Sequence, residues 1–386
     1  MTNTHLKRFL LSSLLFCPLV SFALTDQELN EKFELLNDEV LIAQEQYEDT
    51  AQKFNDIMTI SGYTDVEFIA SDKEGATNGF RLHHLSLFFE KQISDKWRFF
   101  SEIEYEDAPK FEAEADQVTV LDINGDPQTL DKFKAANGKI FLEAVNVTYQ
   151  AKQELSLRFG RFFTPAGIWS IDHYPPFVGT QERPQHIRRI FPQLVDGIDI
   201  LGTVQMGEGT FLNYDLFTGN GEGNTGKHDH NNDKALGLKA SFLFPTLSHT
   251  ELGFSVYSDT FEDNSEKMAT GIHAKVRAGD FTFQSEYAQG KIEDTAGNIN
   301  ENEGYYAQFQ YDISHWGLGY RYDYYDNDTD AAALSSKYGT VNTAFINYRS
   351  SEKVTLKLEF HSIDVEDDAA EDYNKMIASV VVYLGE

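Results

Sequence analysis

From residue 62 to the C-terminus, the chain alternates apolar and polar residues with a period of two. In "VTLKLEF", Val354, Leu356, Leu358 and Phe360 alternate with Thr355, Lys357 and Glu359, and His361 follows. "WGLGYRYDY" sets Trp316, Leu318, Tyr320 and Tyr322 against Gly317, Gly319, Arg321 and Asp323. "WRFFSEIEY" sets Trp97, Phe99, Ile103 and Tyr105 against Arg98, Glu102 and Glu104, and "FTFQSEY" sets Phe281, Phe283 and Tyr287 against Gln284 and Glu286. Successive side chains of a strand point to opposite faces, so each segment offers one face to an apolar medium and one to water. One such strand fits a soluble sandwich as well as a membrane barrel.

The connections separate the two. The pattern predicts sixteen strands, near 62–71, 79–92, 96–106, 138–150, 154–164, 194–206, 209–218, 234–245, 249–258, 269–278, 280–289, 303–313, 315–324, 340–349, 353–362 and 373–384. Short links ("ISDK", "AKQ", "MGEG", "PTLSH", "RAGD", "SHW", "SSEK") follow the even strands, and longer ones follow the odd strands. Strict alternation of short and long loops along an even number of strands of about ten residues predicts a closed, antiparallel, transmembrane β-barrel.

Residues 24–60 follow another rule. Phe33, Val40, Tyr47 and Phe54 recur every seven residues, interleaved with Leu29, Leu36, Ala43 and Thr50, and no Gly or Pro falls between Leu24 and Ser61. This heptad pattern predicts a helical coiled-coil segment ahead of the barrel domain, 61–386. Residues 1–23 carry Lys7 and Arg8, an apolar run from Phe9 to Val20, and Ser21 and Ala23 at the spacing of a cleavable signal peptide. No segment approaches the roughly 18 uncharged apolar residues of a membrane-spanning helix.

Composition agrees with export and with strands. The chain holds 30 Phe, 19 Tyr and 27 Gly, and its one cysteine, Cys17, lies in the apolar leader, which removes disulfides and thiolate chemistry from the mature protein. With 62 acidic residues against 32 Lys and Arg, the net charge is −30, which excludes nucleic acid as a partner.

Several stretches resemble one family in order along the chain: "FRLHHLSLFFEKQISDKWRFFSEIEYE", "FLEAVNVTYQAKQELSLRFGRFFTPAG", "ERPQHIRRIFPQLVDGIDILGTV", "FLNYDLFTGNG" and "YYAQFQYDISHWGLGYRYDYYD". They are similar to the phosphate-selective porins O and P and their porin-like relatives. The resemblance implies a sixteen-stranded homotrimeric channel in the outer membrane of a Gram-negative bacterium, in contact with lipid and lipopolysaccharide, passing small hydrophilic solutes by diffusion. It does not carry phosphate specificity to this chain. The inward positions expected to line the lumen are mixed in charge: Arg98, Arg158, Arg321 and Lys357 beside Glu102, Glu104, Glu286, Asp323 and Glu359. The chain also ends "VVVYLGE", without the terminal aromatic usual in such barrels. The coiled-coil segment agrees with a trimer and offers a contact for peptidoglycan.

A basic knot stands out in this acidic chain. "QERPQHIRRIFPQ" gathers Arg183, His186, Arg188 and Arg189 in the third outer loop, 165–193, the loop that narrows the channel in sixteen-stranded porins. Two readings stand: the arginines form a constriction facing wall carboxylates, or they pin the loop by salt bridges. The outer loops are acidic, as in "IDVEDDAAED" at 363–372, and read as a solvated rim or as divalent-cation bridges to lipopolysaccharide.

No cofactor and no metal site is expected. "GEGNTGKH" from Gly221 has His228 where a phosphate-binding loop needs Ser or Thr, and His228 with His230 is a polar loop pair. His83 and His84 are adjacent on one strand, so regular alternation places them on opposite faces. The competing reading is a barrel enzyme, for which His84 with Ser86, or His361 near Glu359, would supply the polar constellation; a structural or adhesion barrel is the third.

Overall fold

The computed structural model describes residues 58–385 except 109, 122–126, 137, 208, 223–228, 230, 328–337 and 366–370. The signal peptide, most of the helical segment, the His228–His230 pair and much of the "IDVEDDAAED" run lie outside the described residues.

Among the described residues, eighteen strands follow one another: β1 Thr59–Ser71, β2 Gly79–Ser94, β3 Trp97–Glu106, β4 Lys110–Leu121, β5 Pro127–Ala136, β6 Lys139–Lys152, β7 Leu155–Phe163, β8 Leu194–Gln205, β9 Phe211–Gly219, β10 Ala235–Phe244, β11 Thr250–Thr260, β12 Glu266–Ala278, β13 Phe281–Glu293, β14 Ile299–Ile313, β15 Trp316–Asn327, β16 Tyr338–Arg349, β17 Val354–Val365 and β18 Tyr373–Tyr383. Sixteen form one closed barrel in which each strand pairs antiparallel with its neighbours. β1 closes it against β18, from Tyr63 opposite Tyr383 to Ser71 opposite Lys375. β4 and β5 pair only with each other, as a hairpin within the long connection from β3 to β6.

Alternation explains why the sheet closes with this side outward. On β17, Leu356, Leu358 and Phe360 are 42%, 44% and 51% exposed, while Lys357, Glu359 and His361 are 3%, 0% and 0%. The other walls repeat this, with Leu252, Phe254, Ile272, Phe309, Leu318 and Val380 turned outward. An apolar belt of this extent is stable only against lipid, where a closed barrel also leaves no unpaired backbone edge. At the short-turn rim, Trp97 packs on Tyr149 and Trp316 on Tyr348, with ring centroids 4.9 and 4.6 Å apart, at the level where aromatic girdles meet the membrane interface.

The sixteen predicted strands are the sixteen barrel strands. Several run further at the outer end than alternation suggested: β12 begins at Glu266 and β14 at Ile299. Beyond the bilayer both faces of a hairpin meet water, so the period-two signal fades while the hydrogen-bond ladder continues. The β4–β5 hairpin was not among the predicted strands.

One expectation is overturned. His83 and His84 both face inward, because β2 carries a bulge: Asp65 pairs with His84 and the next residue, Val66, pairs with Leu82, leaving His83 as the extra residue. A second bulge, in β6, inserts Glu143 between Leu142, opposite Ile103, and Ala144, opposite Glu102. An inserted residue shifts the phase of the side chains that follow it.

Candidate functional site: an inward loop across a carboxylate-rich lumen

Residues 164–193, between β7 and β8, turn into the barrel. The segment begins with a close approach to the far wall. Gly167 has φ +55°, and a Cβ there would stand 1.7 Å from Glu286 Oε2, so only glycine fits both the backbone and the contact. Its carbonyl accepts from Lys239 Nζ at 2.6 Å and its N–H donates to Ser255 Oγ at 3.2 Å. The Trp169 N–H then donates to Glu286 Oε1 at 3.0 Å, an oxygen that also accepts from Tyr306 OH at 2.9 Å.

The segment next crosses the lumen. Tyr174 OH donates to Glu102 Oε2 on β3 at 2.9 Å. From Val178 to Glu182 the backbone runs along β15–β18 and β1, held by side chains of the wall. Lys357 Nζ donates to the Val178 carbonyl at 2.8 Å and Asn347 Nδ2 to the Gly179 carbonyl at 2.9 Å. Gln181 N–H donates to Glu359, and its side-chain amide donates to Asp65 and to Glu67 Oε1 at 3.0 Å. Glu182 pairs with Lys375.

Arg321 is the hub. Fully buried, it donates to Thr180 Oγ1 at 2.6 Å, to the Glu182 carbonyl at 2.9 Å and to Asp323 Oδ2 at 3.0 Å, and its guanidinium stands 5.8 Å from the Trp169 ring. Loop backbone that would otherwise be desolvated without partners is thereby satisfied by charged wall groups, which form the stronger class of hydrogen bond.

The residues singled out from sequence divide into two sets. Of the inward positions, Arg98 and Arg158 line an open cavity. Glu102, Glu104, Glu286, Arg321, Asp323, Lys357 and Glu359 face inward but are buried; all of these except Glu104 bond to the loop.

The basic knot also divides. Arg188, at φ +67°, points its guanidinium at Glu143 Oε1, 3.8 Å away, and Arg183 lies in the field of Glu143 and Glu104. Arg189 lies over the Tyr325 ring at 4.9 Å. His186 is buried and stacks on Tyr306 at 5.9 Å. Burial, with Arg321 nearby, pushes its imidazole below the ordinary histidine range, so this loop ring is neutral packing material.

Toward the short-turn end, two cavities lie below the loop. The larger, about 590 Å³, is bounded by Lys96, Arg98, Asn146, Arg158 and Asp215. The smaller, about 380 Å³, is bounded by Asp172, Phe177, Lys275, Arg277, Asp312 and Arg349. Basic side chains outnumber acidic ones in both linings, the reverse of the whole chain. Arg98, Arg158, Lys275 and Arg349 each have a carboxylate partner, Glu90, Asp199, Asp172 and Asp312.

The constellation nearest to a catalytic one is sealed. Thr343 Oγ1 lies 3.0 Å from His361 Nδ1, and His361 Nε2 lies 3.1 Å from Glu359 Oε2, with all three residues fully buried. Ser86 donates to Glu102 at 2.7 Å and is equally buried. A nucleophile needs an open face toward its substrate, which neither hydroxyl has.

Sequence reasoning missed Glu143 as an inward residue and missed Trp169, Tyr174, Gln181 and Glu182 as loop contacts. The signal for Glu143 is present: lipid-facing positions step by three from Leu142 to Val145, then by two to Val147 and Tyr149. In the loop, "AGIW", "PPFV" and "IF" at 190–191 are short apolar runs within a polar connection, the mark of a segment with a covered face.

The fold is that of a sixteen-stranded membrane barrel with an inserted loop. No protein-family profile and no curated protein matches the sequence. Solved structures are similar in fold. An anion-selective porin from Comamonas acidovorans has a TM-score of 0.59 at 13% identity, over 85% of this chain and 99% of that one. OmpF of Salmonella typhi, in complex with daunomycin, has a TM-score of 0.57 at 12% identity, over 85% and 97%. The outer membrane channel DcaP of Acinetobacter baumannii has a TM-score of 0.52 at 15% identity, over 85% and 97%.

Proposed function

We propose that the chain is an outer-membrane porin of a Gram-negative bacterium, a water-filled channel for passive diffusion of small hydrophilic solutes and ions. The observation that carries this reading is the loop 164–193 laid across a polar lumen, with solvent-sized chambers below it and an apolar belt outside. A hydrated solute meets fixed charges only where loop and wall come closest, in a gap of low dielectric where each charge counts for more than in bulk water.

In this reading Arg183 and Arg188, facing Glu104 and Glu143, set the transverse field of the constriction beside the larger chamber. The alternative, that the arginines pin the loop, is disfavoured because docking already rests on Arg321, Lys357, Lys375 and Glu286, while Arg188 stands 3.8 Å from its carboxylate, beyond hydrogen-bond reach. The homotrimer, the lipopolysaccharide contact and the peptidoglycan contact of residues 24–60 complete the proposal; their support is the heptad pattern and the acidic outer loops.

The test is reversal potential in planar bilayers under a KCl gradient, for the native protein and for Arg188→Ala and Arg183→Ala/Arg188→Ala variants. Discrete conductance steps, with cation preference rising as the guanidiniums are removed, are expected. A folded barrel that gives no steps would overturn the channel, and unchanged selectivity in the double variant would return the arginines to a structural role.

A further inference from the structure

The two bulges act at one corner of the wall. By adding one residue each to β2 and β6, they turn His83, His84 and Glu143 inward beside Asp65, Glu67, Glu102, Glu104 and Glu106. The result is six carboxylates and two imidazoles on four neighbouring strands. The cations that face them are Arg81, Arg183, Arg188 and Lys357; Arg81 is shared with Asp107, and Lys357 with Glu359. Buried carboxylates in excess of their cations are costly.

We propose that His84, Glu104 and Glu106 bind a divalent transition-metal cation of the Zn²⁺ class, with Asp65 as the group that orients the imidazole. One ligand atom from each of His84, Glu104 and Glu106 lies within 4.8 Å of the others. His84 Nδ1 lies 3.1 Å from Asp65 Oδ1 and 3.2 Å from Oδ2. An ionised carboxylate only accepts, so Nδ1 carries a proton and Nε2 is the nitrogen left for a cation to take. Nε2 lies 3.9 Å from Glu106 Oε1. Two ligands at about 2.1 Å from a tetrahedral metal stand about 3.4 Å apart, so Nε2 and Glu106 Oε1 close by about half an ångström, and a pair at the 4.8 Å limit of the cluster closes by about 1.4 Å. A carboxylate on the far nitrogen of a ligating histidine is the usual outer support of such a site.

A second observation points to the same place. Glu104 is 1% exposed; its Oε2 accepts from Tyr63 OH at 2.7 Å, but Oε1 has no hydrogen-bond partner. A buried, unpartnered carboxylate oxygen is expensive unless a cation meets it. Access is from the outer end, where Glu106 ends β3 with its side chain 16% exposed. The mixed nitrogen and oxygen donors favour Zn²⁺ over Mg²⁺ or Ca²⁺, which take oxygen ligands.

The experiment is calorimetric titration of the full-length protein, purified in detergent, with Zn²⁺ and with Mg²⁺, together with the visible absorption of added Co²⁺. One Zn²⁺ per chain is expected, with Mg²⁺ at least tenfold weaker. Binding should persist in His228→Ala/His230→Ala and weaken tenfold or more in Glu106→Gln, in His84→Gln and, through orientation alone, in Asp65→Asn. Glu106→Gln is nearly isosteric and partly exposed, so it decides the matter if His84→Gln fails to fold. Absence of Zn²⁺ binding in the native protein, or full affinity in folded Glu106→Gln, would overturn the site.

Discussion

The imidazoles of His83 and His84, neighbours in sequence, stand on the same face of β2 with ring centroids 3.5 Å apart. Only the bulge opposite Asp65 makes this possible, and it yields the first prediction. Lipid-facing positions on β2 are Phe80, Leu82, Leu85, Leu87 and Phe89, with one step of three across the histidine pair. Deleting His83 restores strict alternation and should leave a folded barrel, whereas deleting Leu87 inverts every side chain on one side of it. Refolding followed by electrophoresis without heating reads the result; equal recovery of both deletions would refute the assignment.

Arg321 gives the second prediction. Its removal leaves Asp323 buried without its cation and takes one hydrogen bond each from the Glu182 carbonyl and Thr180 Oγ1, which keep only their bond to each other. Breaking one side of a buried pair typically costs about 3–5 kcal/mol. Arg321→Met should therefore lower the thermal unfolding midpoint clearly, and the Arg321→Met/Asp323→Asn double variant should recover part of it. A double variant no better than the single would show that the loop contacts, not the charge, dominate.

Glu286 isolates the loop from the barrel. It accepts from the Trp169 N–H and the Tyr306 hydroxyl, so Glu286→Ala leaves two buried donors unsatisfied, at about 1–3 kcal/mol each. The strand ladder is untouched, so the expected effect is on loop docking: higher conductance and noisier open-channel current, with little change in barrel unfolding. Native current in a folded Glu286→Ala channel would contradict it.

Gly167 offers a sharper probe of the same approach. At φ +55°, with Glu286 Oε2 in the place of its Cβ, Gly167→Ala is strained in backbone and in contact alike. It should reproduce the Glu286→Ala current and add little when combined with it. Additive effects of the two would mean that they act on different parts of the loop.

The sixteen barrel strands, their order, the side of each that meets lipid and the alternation of short and long connections were legible in the sequence. All follow from local alternation and turn spacing, which do not depend on distant contacts. The first strand begins at Thr59, three residues before the change of period near Gly62. Which inward side chains meet water and which are sealed was decided by tertiary structure alone. Lys357 and Glu359 read like lumen positions, yet they bond to Val178 and Gln181, about 180 residues earlier in the chain. The bulges lie between these cases: a step of three among apolar positions records them, but only strand pairing turns that step into His83, His84 and Glu143 on one wall. A strand's own sequence fixes which face is apolar; the company kept on the polar face is set by whatever the closed barrel folds inward.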